Sequence, residues 1–146
     1  MPKTSRFNIR AICRAAIMTA LYVLLSTMLS IKMGNLHITF ASLPVTVTAV
    51  LFGPAEAAVV ALLGEFLNQM LGYGFTATTV LWLIPPAVRG LMIGAAALRS
   101  RRTGRALESR PALFYGVCVA AAVATTVCNT AVIWLDSVLY KYYTFA

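Results

Sequence analysis

Four runs of this chain are long and apolar enough to cross a bilayer, and they constrain the fold more than any other feature. A helix needs roughly 20 mostly apolar residues to span the hydrocarbon. Residues 12–31 (ICRAAIMTALYVLLSTMLSI), 55–72 (AEAAVVALLGEFLNQMLG), 79–98 (TVLWLIPPAVRGLMIGAAAL) and 112–135 (ALFYGVCVAAAVATTVCNTAVIWL) are of about that length. Between the first two, 41–53 (ASLPVTVTAVLFG) is apolar but short. We read it as a short tilted span in preference to a re-entrant piece. Only 11% of the 146 residues are charged and 60% are hydrophobic, whereas an average soluble domain is roughly 25% charged. The expectation is an all-α integral membrane protein: one membrane domain over 1–146, a small helical bundle with five transmembrane helices.

Charge sets the orientation. Lys3, Arg6, Arg10 and Arg14 stand at the start of the first span, and Arg99, Arg101, Arg102, Arg105 and Arg110 fill the loop before the last. Cytoplasmic loops are rich in Lys and Arg. The two clusters share a side when an even number of spans separates them, and counting 41–53 gives four. The protein is then a multi-pass cell-membrane protein with a cytoplasmic N-terminus, and Lys32 and Lys141 face outward. The net charge of +8 is thereby a topology signal. No aromatic-interleaved basic groove accompanies it, so no nucleic-acid partner is expected. A cleaved leader is the rival reading of 1–31, but no A-x-A-like site follows the apolar stretch.

Chemistry is sparse. No G-x-x-x-x-G-K-[ST] loop is present, so ATP hydrolysis by that route is not expected of this chain. His37 is the single histidine and there is no H-E-x-x-H. Nothing pairs a nucleophile with a base, so neither an enzyme nor a resident metal or cofactor is expected. Cys13, Cys118 and Cys128 form no C-x-x-C and read as small buried side chains.

Polar groups within the membrane are therefore the informative ones, because each costs several kcal/mol unless it is used. At 1.5 Å per residue, Glu65 and Arg89 each lie roughly 15 Å into their spans. An ion pair between them is expected, either tying two helices together or meeting a ligand. Asn68 and Gln69 follow Glu65 at i+3 and i+4 and share its face. Asn129, Trp82 and Trp134, with Thr76, Thr78 and Thr79, lie toward the outer side. Interfacial tryptophans are ordinarily anchors, but indoles beside amides also suit a flat heteroaromatic ligand. Pro85 and Pro86 remove two backbone donors and leave carbonyls for a ligand, or they merely kink the helix. Gly90 and Gly94 form G-x-x-x-G, and Ala16 and Ala20 form A-x-x-x-A, spacings that let helices approach closely.

The segments SIKMGNLHITFASLPV, LFGPAEAAVVALLGEFLNQML, LWLIPPAVRGLMIG and CNTAVIWLD together resemble the substrate-binding (S) component of energy-coupling-factor (ECF) vitamin transporters. The likeness is strongest to the folate-specific branch, FolT, and covers most of 10–145. It implies a six-helix bundle, of which this chain offers five. It implies a folate or related pterin ligand captured from outside. It also implies a transmembrane coupling subunit as partner and two ATPase subunits that hydrolyse ATP elsewhere. By the same resemblance Lys32–Phe40, with Asn35 and Phe40, forms an outer gate. Trp82, Pro85, Pro86 and Arg89 line the pocket, and Asn68, Gln69, Asn129 and Trp134 complete it. Ala16 and Ala20 are the docking face for the coupling subunit. The alternatives are an S component for another vitamin (pantothenate, riboflavin) and a structural membrane scaffold.

Overall fold

In the computed structural model, which describes residues 9–33, 36–38, 40–72, 74–75, 78–104 and 107–140, each apolar run becomes helical. The order is α1 (Ile9–Met28), a hairpin of β1 (Ile31–Met33) and β2 (Leu36–Ile38), α2 (Ser42–Leu51), α3 (Pro54–Gly72), α4 (Thr79–Trp82), α5 (Ile84–Arg102) and α6 (Pro111–Tyr140). Three stretches, Ile9–Met28, Thr79–Arg102 and Pro111–Val138, are long and apolar enough to cross a membrane. Their outer faces are apolar and exposed, with Ile17, Leu21 and Leu24 on α1 and Val119, Val123 and Val127 on α6. That is the surface a lipid-facing helix requires, since its backbone is satisfied internally.

Two sequence expectations change here. The segment 41–53 does not span: α2 has 10 residues, about 15 Å at 1.5 Å per residue, half the hydrocarbon thickness. It is also among the most enclosed elements, with Pro44, Val45, Thr48, Ala49 and Val50 buried. Thr48 keeps its hydroxyl satisfied there by donating to the Pro44 carbonyl (2.7 Å). Nor are all the cysteines buried: Cys13 is exposed, and Cys118 and Cys128 are partly so.

One end of the bundle is closed tightly around the turn between α2 and α3. Gly53, at φ +101°, takes the left-handed backbone a side chain would resist, and Pro54 starts α3. Arg14 from α1 donates to Glu56 Oε1 at 2.8 Å and lies over the Phe52 ring, 4.3 Å from its centroid. Arg101 from α5 donates to the Val50 carbonyl at 2.7 Å and to the Leu51 carbonyl at 3.3 Å, capping the last turn of α2. One arginine from each basic cluster thus grips the same turn, so both clusters lie at one end of the bundle, as the charge argument required.

Small residues set the spacing above this turn. A Cβ on Gly94 would come within 2.4 Å of Pro54 Cα, and one on Gly90 within 3.1 Å of the Ala57 carbonyl oxygen. The G-x-x-x-G of α5 is accordingly the seam against α3. Tyr22, Ala41, Val45, Val60 and Ala61 form one buried cluster, and Ala49, Val50, Ala57, Ile93 and Ala121 another.

Candidate functional site

Because α2 is short, its N-terminus opens inside the bundle. Ala41 (5% exposed) precedes it and packs with Tyr22 of α1 and Val60 and Ala61 of α3. From this level toward the hairpin end, α1, α3, α5 and α6 each carry polar side chains.

The α1 contribution is a narrow polar stripe on an otherwise apolar helix. Thr19, Tyr22 and Ser26, spaced three and four apart, are all buried. The Tyr22 ring lies against Gly64 of α3, where a Cβ would approach within 2.6 Å. Its hydroxyl donates to Glu65 Oε2 at 2.6 Å. Gln69 Nε2 donates to the other oxygen of Glu65 at 2.9 Å. One turn on, Ser26 Oγ donates to Asn68 Oδ1 at 2.6 Å. The Glu65, Asn68 and Gln69 face anticipated from their spacing is real, and α1 is its partner.

On the opposite side Arg89 Nε donates to Thr125 Oγ1 at 3.3 Å, and the Thr125 hydroxyl donates in turn to the Ala121 carbonyl at 2.6 Å. The expected Glu65–Arg89 ion pair is not made. Among the described residues the salt bridge is Arg14–Glu56, and both oxygens of Glu65 are taken by neutral donors. A guanidinium carries five N–H donors, so with Nε on Thr125 the remaining fork of Arg89 is the strongest donor group at this level.

The prolines act as a helix start rather than a mid-helix break. Pro85 and Pro86 occupy the first turn of α5, where a missing N–H costs least. The carbonyls of Leu81 and Trp82 consequently have no i+4 amide to accept from. Trp82 ends α4 and is partly buried, Pro85 is buried and Pro86 partly so. Asn129, one turn beyond Thr125 on α6, is partly buried. These residues, with Asn68, Gln69 and Arg89, border the same end of the bundle.

Others are not brought there. Trp134 is 60% exposed, so its indole looks outward; the physical reason is a helical turn of 3.6 residues, which puts it on the far side of α6 from buried Val132 and Asp136. Phe40 is 44% exposed beside the start of α2. Ala16 and Ala20 are exposed on α1, as a docking face requires. Asn35 and Thr76 lie outside the described residues. The segment taken as an outer gate contains the hairpin, with Ile31 paired to Ile38, Lys32 to His37 and Met33 to Leu36.

Sequence reasoning missed Tyr22, Ser26, Thr125 and Asp136. The i, i+3, i+7 spacing of Thr19, Tyr22 and Ser26 was a usable signal, as was Gly34–Asn35 between two short apolar runs for the hairpin. Nothing in the sequence announced Thr125, one of several α6 threonines.

Compared with known families, the chain matches the family model described as ECF-type riboflavin transporter, S component, over residues 6–146. No curated protein and no solved structure gives a match.

Proposed function

The chain belongs to the family of ECF-type riboflavin transporter S components, and from that premise we propose that the region around Tyr22, Glu65 and Arg89 is the seat of its vitamin. Membership makes the chain a membrane-embedded vitamin-binding transport subunit that works with energy-coupling components. The proposal adds the place and the ligand. A vitamin enters from the hairpin end, settles over the N-terminus of α2 and is held by polar groups of α1, α3, α5 and α6. Partner subunits, a transmembrane coupling subunit and two ATPases, supply the energy, and this chain contributes no cofactor.

The observation that carries the reading is Arg89. A guanidinium at membrane depth is expensive unless its charge is met, and the nearby carboxylate is already engaged by Tyr22 and Gln69. An acceptor-rich, anionic ligand completes it, because charge-assisted bonds to a planar fork are about twice as strong as neutral ones. Folate, with carboxylates and a ring carbonyl, meets that requirement, and the motifs of 30–45 and 81–94 resemble folate-specific members. Riboflavin is the second reading, favoured by the family's own description; it is uncharged and would leave Arg89 to ring carbonyls alone.

Titration of purified protein with folate, riboflavin and pantothenate tests this. The expected result is saturable folate binding at least roughly tenfold tighter than either rival, a gap of about 1.4 kcal/mol. Saturable riboflavin binding without folate binding overturns the folate assignment and leaves the family intact. Absence of binding to any vitamin overturns the site.

A further inference from the structure

The face of α6 that turns inward holds Ala121, Thr125, Val132 and Asp136, all buried. The last is unexpected. Asp136 is 3% exposed, and its Oδ1 has no hydrogen-bond partner among the described residues. A buried oxygen left without a donor costs free energy, which a ligand that donates to it would recover.

Register shows where it stands. Arg89 meets Thr125, and α5 runs antiparallel to α6 across a short connection. Ten residues back from Arg89 is Thr79, and eleven on from Thr125 is Asp136, each a shift of about 15 Å at 1.5 Å per residue. The packing of α4 against α6 agrees with that alignment. Thr78 and Thr79 are buried at the same level, 6% and 0% exposed. Trp82 lies one turn from Thr79 toward Arg89. At successive levels of the α5–α6 side the bundle thus carries Arg89, Trp82 and Asp136, the last with an unpartnered oxygen.

We propose that Asp136 is a specificity-determining residue: its unpartnered Oδ1 accepts an N–H bond from the edge of a flat heteroaromatic ligand that carries adjacent donors. A pterin has such an edge in its 2-amino group and ring N3–H. The corresponding edge of an isoalloxazine presents one donor between two carbonyl acceptors and meets a carboxylate with repulsion. Asp136 therefore favours a folate-class ring over a riboflavin-class ring by adding one attraction and one clash. This rests on the folate reading above and supplies the group that enforces it.

Equilibrium binding on full-length protein in detergent tests it, using folate, 2-desaminofolate and riboflavin against wild type and Asp136→Asn. Wild type should bind folate roughly 10- to 100-fold more tightly than the desamino compound, the range expected for a bond to a charged group. In Asp136→Asn that preference should collapse to within a few-fold, and riboflavin binding should not weaken. A melting curve of each protein without ligand shows whether the variant is folded, and the desamino comparison in wild type needs no variant at all. If wild type binds folate but ignores loss of the 2-amino group, or if Asp136→Asn keeps the same preference, Asp136 is not the recognition group. If wild type binds riboflavin and not folate, the folate reading itself fails and this inference falls with it.

Discussion

The two ends of this bundle use the same helices in opposite ways. At the basic end, α2 is present and everything closes on it: Gly90 and Gly94 bring α5 onto α3, Arg101 caps α2, and Arg14 clamps Glu56 over Phe52. At the hairpin end α2 is gone, and polar side chains join the neighbouring helices: Tyr22 to Glu65, Ser26 to Asn68 and Arg89 to Thr125. At the basic end the charged groups meet one another and backbone carbonyls, although Arg14 Nε and Glu56 Oε2 are left without hydrogen-bond partners among the described residues. At the hairpin end Asp136 Oδ1 is likewise without one, and Arg89 makes a hydrogen bond to Thr125 but no salt bridge among the described residues. One short helix therefore divides the molecule into a closely packed base and the half that we propose as receptive.

The sharpest way to break that division is to force the base apart. Gly94→Val puts side-chain atoms into the backbone of Pro54, a contact that cannot relax without separating α5 from α3. Overpacking of this kind costs about 3 kcal/mol or more, so we expect loss of monodisperse protein or a melting temperature lower by roughly 10 °C. Next in size is Arg89→Ala in the receptive half. Vitamin affinity should fall roughly 100-fold, as when one partner of a buried charge contact is removed, with the melting temperature of unliganded protein changed by no more than a few degrees.

Tyr22→Phe should be milder. It keeps the ring on Gly64 but strips Glu65 Oε2 of its donor, costing about 1–2 kcal/mol in stability, measurable in a denaturation series, with vitamin affinity reduced several-fold. The smallest effect belongs to Arg14→Ala. Its side chain is 40% exposed and that of Glu56 23%, so screening leaves under about 1 kcal/mol for the pair. Vitamin affinity should be unchanged. A large affinity loss in Arg14→Ala, equal to that in Arg89→Ala, would erase the distinction between the two ends.

The base was easier to anticipate from sequence than the receptive half. Span length, the Gly90/Gly94 spacing and the arginine clusters are local signals, and each maps onto packing seen in the structure. The shortness of α2 was visible in 41–53, yet counting charges favoured a full span. The structure keeps the charge outcome, because α2 still reverses the chain direction, while denying the span. Glu65 lies well inside α3 as its position in the run implied, but its partner is Tyr22 and not Arg89. Depth along two helices says nothing about azimuth, and Tyr22 was sterically closer once Gly64 let α1 approach. Trp134 failed for the same reason: position along α6 was right and the face was wrong.

The central claim is that a vitamin lodges over the N-terminus of α2 and not at the basic end. Hydrogen–deuterium exchange on the purified protein, with and without saturating folate, addresses it directly. The account predicts slower exchange on binding in 60–72, 79–90 and 121–136, with 49–57 unaltered. Protection concentrated in 49–57, with the other three segments unchanged at saturation, would contradict it.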